Sequence, residues 1–252
     1  MKINRLAKYL LITYSISWIV WGALILLINH GVTTYASPLG FIIFTTGGFG
    51  PTIAAIAVQE KRTPKAILRF VFGGNHKAWG YFLLFCVLLT AVIGLSSGTL
   101  NPAMPLLLAP LYLFLMTAFG GGNEELGWRG FMQPALEKSL PFSIAVLLTS
   151  IVWSCWHLPC WLMQGSSQQA FPFFLFAAFA LPLSFALAAI YFKTKCVFFC
   201  SLFHALSNVL MSLFIIQVNW VMIGGCIAIA VIAVLIRYTG TQKVNQREAI
   251  KP

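Results

Sequence analysis

Long apolar runs separated by short polar breaks dominate the chain. A helix needs about 20 apolar residues to cross the hydrocarbon core of a bilayer. Runs of that kind recur eight times, at about 9–28, 39–59, 79–97, 103–122, 141–163, 171–191, 196–216 and 219–238. Turn formers mark the joints, as in Asn29-His30-Gly31, Asn75-His76 and Gly98 to Pro102. The pattern predicts an all-α, polytopic membrane protein of about eight transmembrane helices. It forms one multi-pass domain over residues 1–240, with no strong internal repeat, and its polar tail, 241–252, is expected to be disordered. The first run follows a basic start, as a signal peptide would. It is long for that role and no Ala-x-Ala-like site follows closely, so it reads as an uncleaved span.

Composition removes the competing classes. Hydrophobic residues make up 60% of the chain and charged residues 8%, against about 25% charged in an ordinary soluble domain. So few charges cannot coat a water-facing surface of this size. There are 16 Lys+Arg against 5 Asp+Glu, none of them Asp. In a soluble protein a net charge of +11 would suggest nucleic acid. Here position explains it. Lys2, Arg5 and Lys8 precede the first run. Lys61, Arg62, Lys65, Arg69 and Lys77 lie between the second and third. Arg129 and Lys138 follow the fourth, and Lys193 and Lys195 follow the sixth. Arg237, Lys243, Arg247 and Lys251 close the chain. The other connections hold no Lys or Arg. By the positive-inside rule the basic side is cytoplasmic, with both termini inside a cell membrane, and no nucleic-acid partner is needed.

The six cysteines sit inside or at the ends of apolar runs, where they read as small buried hydrophobes. Cys196, Cys200 and His204 share one helix face, which leaves soft-metal binding open, although the C-x2-C spacing of structural zinc is absent. Glu60, Glu137 and Glu248 stand beside basic residues and read as interfacial charges. Glu124 and Glu125 differ. They follow Gly120-Gly121-Gly122-Asn123 at the end of an apolar run, and a charge inside a bilayer costs roughly 2.5–3.5 kcal/mol on insertion scales. Glu125 and Arg129 are four apart with the acid first, the favourable order for a helical ion pair. Neighbouring helix positions point about 100° apart, so Glu124 faces elsewhere as the freer carboxylate. His157 lies in the fifth run, and His204 lies in the seventh with Asn208 one turn on. Buried polar groups need partners, and mutual pairing across these spans is the cheapest solution. His30 and His76 sit in loops and take no role.

These residues resemble three motifs of one family. Glu124-Glu125-Leu126-Gly127-Trp128-Arg129 resembles its EExxxR motif. Trp153 to His157 resembles an aromatic residue four before a His, and His204 to Asn208 resembles HxxxN. The family is the CPBP group, which includes type II CAAX prenyl endopeptidases and bacterial Abi-type proteins, and the motifs cover about 115–215. The resemblance implies an intramembrane endopeptidase. Glu124 and His157 would activate a water, His204 and Asn208 would stabilise the oxyanion, and Glu125 and Arg129 would orient the site. A metal-free, carboxylate-activated water is the preferred mechanism. The alternative is a zinc ion on Glu124, His157 and His204, although His-Glu-x-x-His is absent. Expected partners are membrane lipids and a peptide or lipidated-protein substrate, either prenylated and CAAX-like or a small leader or bacteriocin-type peptide. Loops this short suit a bacterial chain. The rival functions are a proton-coupled transporter using the same Glu and His set, or a non-catalytic immunity or scaffold protein.

One difficulty accompanies this reading. Counted from the cytoplasmic ends, His204 lies about eight residues deep, His157 about sixteen, and Glu124 near the surface. At about 1.5 Å per residue these depths differ by some 20 Å. For the groups to meet, the fourth or fifth span must bend or tilt, or 123–140 must re-enter the membrane. The glycine triplet and Pro159 are the candidate break points.

Overall fold

The structure, a computed structural model, describes the backbone of residues 4–249 and the side chains of residues 4–239. Its helices are α1 (Arg5–Asn29), α2 (Pro38–Gly48), α3 (Gly50–Ala57), α4 (Pro64–Phe72), α5 (Trp79–Ser97), α6 (Ala109–Ala118), α7 (Gly121–Gly127), α8 (Gln133–Leu136), α9 (Phe142–Trp156), α10 (Phe173–Thr194), α11 (Val197–Leu213) and α12 (Trp220–Ala249). No strand occurs among the described residues, where the extended pairing is one isolated antiparallel bridge between Leu100 and Phe214. The all-α polytopic expectation is borne out. Seven helical segments are long and apolar enough to cross a membrane, and the eighth expected span, α11, has 17 residues and falls just short.

Local chemistry sets the helix ends. Asn4 accepts the Leu6 N–H at the start of α1. Ser37 accepts the Gly40 N–H at α2 and Thr63 the Ala66 N–H at α4, and in both helices proline takes the first position. A side-chain oxygen there satisfies an N–H that the helix cannot. The second span breaks at Phe49, ahead of Pro51, because proline lacks the N–H that would continue the helix. The amphipathic α4 stands apart from the expected spans. It turns Ala66, Ile67, Phe70 and Val71 inward and leaves Lys65, Leu68, Arg69 and Phe72 exposed.

One expectation needs correction. The fourth span does not end at 122. A three-residue turn at Leu106–Leu108 leads into α6, the chain breaks at Phe119–Gly120, and it then continues through α7, a π-helical turn (Trp128–Met132) and α8. The helical segment Leu106–Leu136 spans 31 residues. Its charges look like the end of a span in sequence because the partners that complete their pairing, Trp153, Ser184 and His204, lie in other helices. At the other end, α12 runs as far as Ala249. Residues 250–252 lie outside the described residues.

Lipid solvates apolar side chains as well as other apolar side chains do, so close packing, more than hydrophobicity, holds such helices together. One buried cluster joins α1, α9 and the π turn through Tyr9, Trp21, Trp128, Trp153 and Trp156. A second joins α5, α10, α11 and α12 through Phe85, Leu187, Ile190, Phe203 and Ile229. Large side chains such as Leu11, Leu95 and Leu107 remain exposed, as befits a lipid-facing surface.

Candidate active site

The break at Phe119–Gly120 swings α7 against α11. Glycine makes the approach possible. A Cβ on Gly121 would collide with Nε2 of His204 and stand 2.7 Å from Nδ2 of Asn208, and one on Gly122 would stand 2.6 Å from the Thr117 Cα. Thr52 of α3 donates its hydroxyl to the Asn123 carbonyl at 2.6 Å, which ties the start of α7 to the second span. The glutamates therefore sit inside the bundle.

The two carboxylates have separate partners. Oε2 of Glu124 accepts the indole N–H of Trp153 at 2.7 Å and that of Trp128 at 3.4 Å. Oε1 of Glu125 accepts Nη1 of Arg129 at 3.2 Å and Nδ1 of His204 at 2.7 Å. Arg129 also donates from Nη2 to the Ser184 hydroxyl of α10 at 2.7 Å, and its guanidinium lies 5.5 Å from the Trp153 ring centroid. Glu125 and Arg129 are wholly buried. An ion pair at that depth holds only when its hydrogen bonds are filled from several sides, and here α7, α10 and α11 all contribute.

His157 ends α9. Its Nδ1 lies 3.0 Å from the Trp153 carbonyl. A carbonyl only accepts, so Nδ1 donates, and in the neutral ring Nε2 keeps the lone pair. Trp153 thus joins three groups. Its N–H holds Glu124, its carbonyl holds His157, and its ring stands edge-on to both His157 and His204 at 5.7 and 5.1 Å.

Glu124, His157, His204 and Asn208 all line one chamber of about 820 Å3, walled by aromatic side chains such as Trp21, Phe44, Phe176 and Phe203. That volume is in the range of small-ligand sites, roughly 300–1,000 Å3. At the chamber's edge, outside the spans, burial pushes the Tyr35 hydroxyl up to about 12, so it stays a neutral donor.

The depth difficulty resolves through the longer fourth segment. Glu124 stands twelve residues before Leu136 and His157 fifteen after Phe142, so at about 1.5 Å per residue they differ by only about 5 Å. The i, i+4 reading of Glu125 with Arg129 holds, and Glu124 faces away from that pair. The shared face of Cys196, Cys200 and His204 gathers no site. The Cys196 thiol lies 3.7 Å from the Val71 carbonyl and the Cys200 thiol 3.6 Å from that of Leu187. Among the described residues no three His, Cys, Asp or Glu side chains converge as a metal-binding group. In the set Glu124, His157 and His204, one Glu124 oxygen accepts two indoles and Nδ1 of both histidines is hydrogen-bonded, which leaves the other carboxylate oxygen and the two Nε2 atoms.

Sequence reasoning missed the indole donors, Ser184 and the role of Gly121. Trp128 is one helical turn from Glu124 and was open to the same spacing argument. Ser184 is 55 residues from Arg129 and carries no local signal.

No curated protein matches the chain. Residues 105–210 match the family described as Rce1-like, type II CAAX prenyl endopeptidase Rce1-like, a protease family. The matched stretch runs from ahead of α6 into α11 and holds all six site residues. It covers the motifs that carried the CPBP resemblance. The likeness to the Rce1-like type II CAAX prenyl endopeptidase family spans residues 105–210, under half of the chain.

Proposed function

We propose that the protein is an intramembrane endopeptidase of the cell membrane that hydrolyses a peptide bond with a water activated by Glu124 and His157. The observation that carries this reading is one chamber lined by a carboxylate, two imidazoles and an amide within a stretch that matches a protease family. The water oxygen attacks the peptide carbonyl carbon. Glu124 takes one water proton and Nε2 of His157 accepts the other in a hydrogen bond. The negative charge that develops on the carbonyl oxygen meets donors from His204 and Asn208, the two groups packed against Gly121. His204, held at Nδ1 by Glu125, turns its Nε2 toward Gly121 at the mouth of the same cluster. Glu124 then passes its proton to the leaving nitrogen, the C–N bond breaks, and an acid and an amine depart. Glu125, Arg129 and Ser184 position this set. The scheme is written without a metal; among the described residues no three His, Cys, Asp or Glu side chains converge as a metal-binding group.

The apolar chamber suits a prenylated, CAAX-like peptide and equally an unmodified leader-type peptide. In purified protein, Glu124→Ala and His157→Ala each abolish peptide cleavage while the melting temperature in detergent stays near wild type. Full activity in either variant removes the water-activating pair. Cleavage continues under strong chelators with metal far below one per chain; loss of activity on chelation, restored by zinc, would refute the metal-free scheme.

A further inference from the structure

Helix α4 is packed tightly on one side only. A Cβ on Gly130 would stand 2.6 Å from the Phe70 ring, the ring centroids of Phe72 and Phe198 are 5.0 Å apart, and the Cys196 thiol lies 3.7 Å from the Val71 carbonyl. These contacts fix α4 to the π turn and to the start of α11. Toward α1 and α3 it leaves a groove of about 390 Å3. Ile56, Ile67 and Phe70 line the apolar part of that groove, and Arg5, Glu60 and Lys61 its polar part. Ile53, one turn before Ile56 and 43% exposed, continues the apolar floor along α3 toward the bilayer core.

The charge around the groove is lopsided. Glu60 pairs with Arg5 at 2.9 Å. Arg62 donates to the Gln59 and Ala57 carbonyls at 3.2 and 2.6 Å and so closes the end of α3. Lys61, Lys65 and Arg69 are exposed, and among the described residues they pair with no carboxylate. Leu68 and Phe72 share the outward face of α4 with Lys65 and Arg69, and are 58% and 46% exposed. Water penalises large apolar side chains on such a face, whereas a bilayer interface takes both them and the cations.

We infer that the groove between α1, α3 and α4 binds an anionic phospholipid, its phosphate against Lys61 and Arg5 and one acyl chain along Ile56 and Ile53. The chemistry recognised is a phosphate diester. The apolar floor, with exposed Leu68 and Phe72 beside it, selects a lipid over a free phosphate. The unmatched Lys65 and Arg69 select a headgroup of net negative charge over a zwitterionic one. Among the described residues none lines both this groove and the chamber, so the inference stands apart from the endopeptidase reading.

Native mass spectrometry of the full chain, released from nanodiscs of equimolar phosphatidylglycerol and phosphatidylcholine, tests it. Wild type should retain phosphatidylglycerol in preference. Lys61→Gln should lower that retention about fivefold, the factor that roughly one juxtamembrane cation contributes, and Lys65→Gln with Arg69→Gln should lower it too. Lys61→Arg should keep it. Lys77→Gln, a cation outside the groove, should leave it at the wild-type level, and melts in detergent check that each variant is folded. Equal retention of the two lipids overturns the proposal. So does an equal loss in Lys61→Gln and Lys77→Gln, which would mark diffuse charge attraction in place of a site. Displacement of the lipid by millimolar glycerol 3-phosphate would mark a free-phosphate site and overturn the lipid assignment.

Discussion

Replacing Trp153 by Phe removes one N–H and keeps the ring. The lost bond is the 2.7 Å contact to Oε2 of Glu124, while the carbonyl that holds His157 is backbone and remains. A hydrogen bond to a charged group contributes roughly 1.5–3 kcal/mol, and each 1.36 kcal/mol is about tenfold in rate. If the indole serves to keep Glu124 aimed at the chamber, kcat for peptide cleavage falls by about 10- to 150-fold. Trp128→Phe is the internal comparison. Its N–H stands 3.4 Å from the same oxygen, long for a hydrogen bond, so its loss costs only a few-fold. Both rings are buried, so the two substitutions disturb packing alike, and thermal melts in detergent should move together. A fluorogenic peptide assay gives kcat and KM for wild type and both variants. A Trp128→Phe loss equal to or larger than that of Trp153→Phe would refute the argument, and so would wild-type kcat in Trp153→Phe.

Two further outcomes follow from the same geometry. Gly121→Ala drives a methyl into the imidazole of His204 and the amide of Asn208, so it abolishes cleavage, whereas Gly22→Ala, with nothing within 4 Å of the new atom, leaves cleavage at the wild-type rate. Arg129→Met strands the Glu125 carboxylate and costs about 3–5 kcal/mol in detergent unfolding, while Ser184→Ala removes one bond to the guanidinium and costs about 1.5–3 kcal/mol; equal, negligible losses in both would show that the cluster does not hold the bundle together.

The apolar runs made the third span legible to the residue, since 79–97 coincides with α5. They misled at the fourth. Glu124, Glu125 and Arg129 look like charges returning to water, and only the partners in α9, α10 and α11 show why they stay inside. Helical spacing correctly paired Glu125 with Arg129 and freed Glu124. It could not reveal that Trp153 bridges Glu124 and His157, because a tryptophan in an apolar run reads equally well as lipid-facing. Short α4 was invisible to a search for long runs.

The ion-pair cluster also imposes an order in time. Glu125 and Arg129 emerge from the ribosome well before the groups that complete their shell, since Ser184 follows Arg129 by 55 residues and His204 follows Glu125 by 79. At roughly 5–20 residues per second, the fourth segment waits about 3–16 s with its charges incompletely matched. It therefore cannot settle into the bilayer as an independent unit, and the second half of the protein must be inserted as a late, collective step in which the tenth and eleventh helices lock the seventh in place.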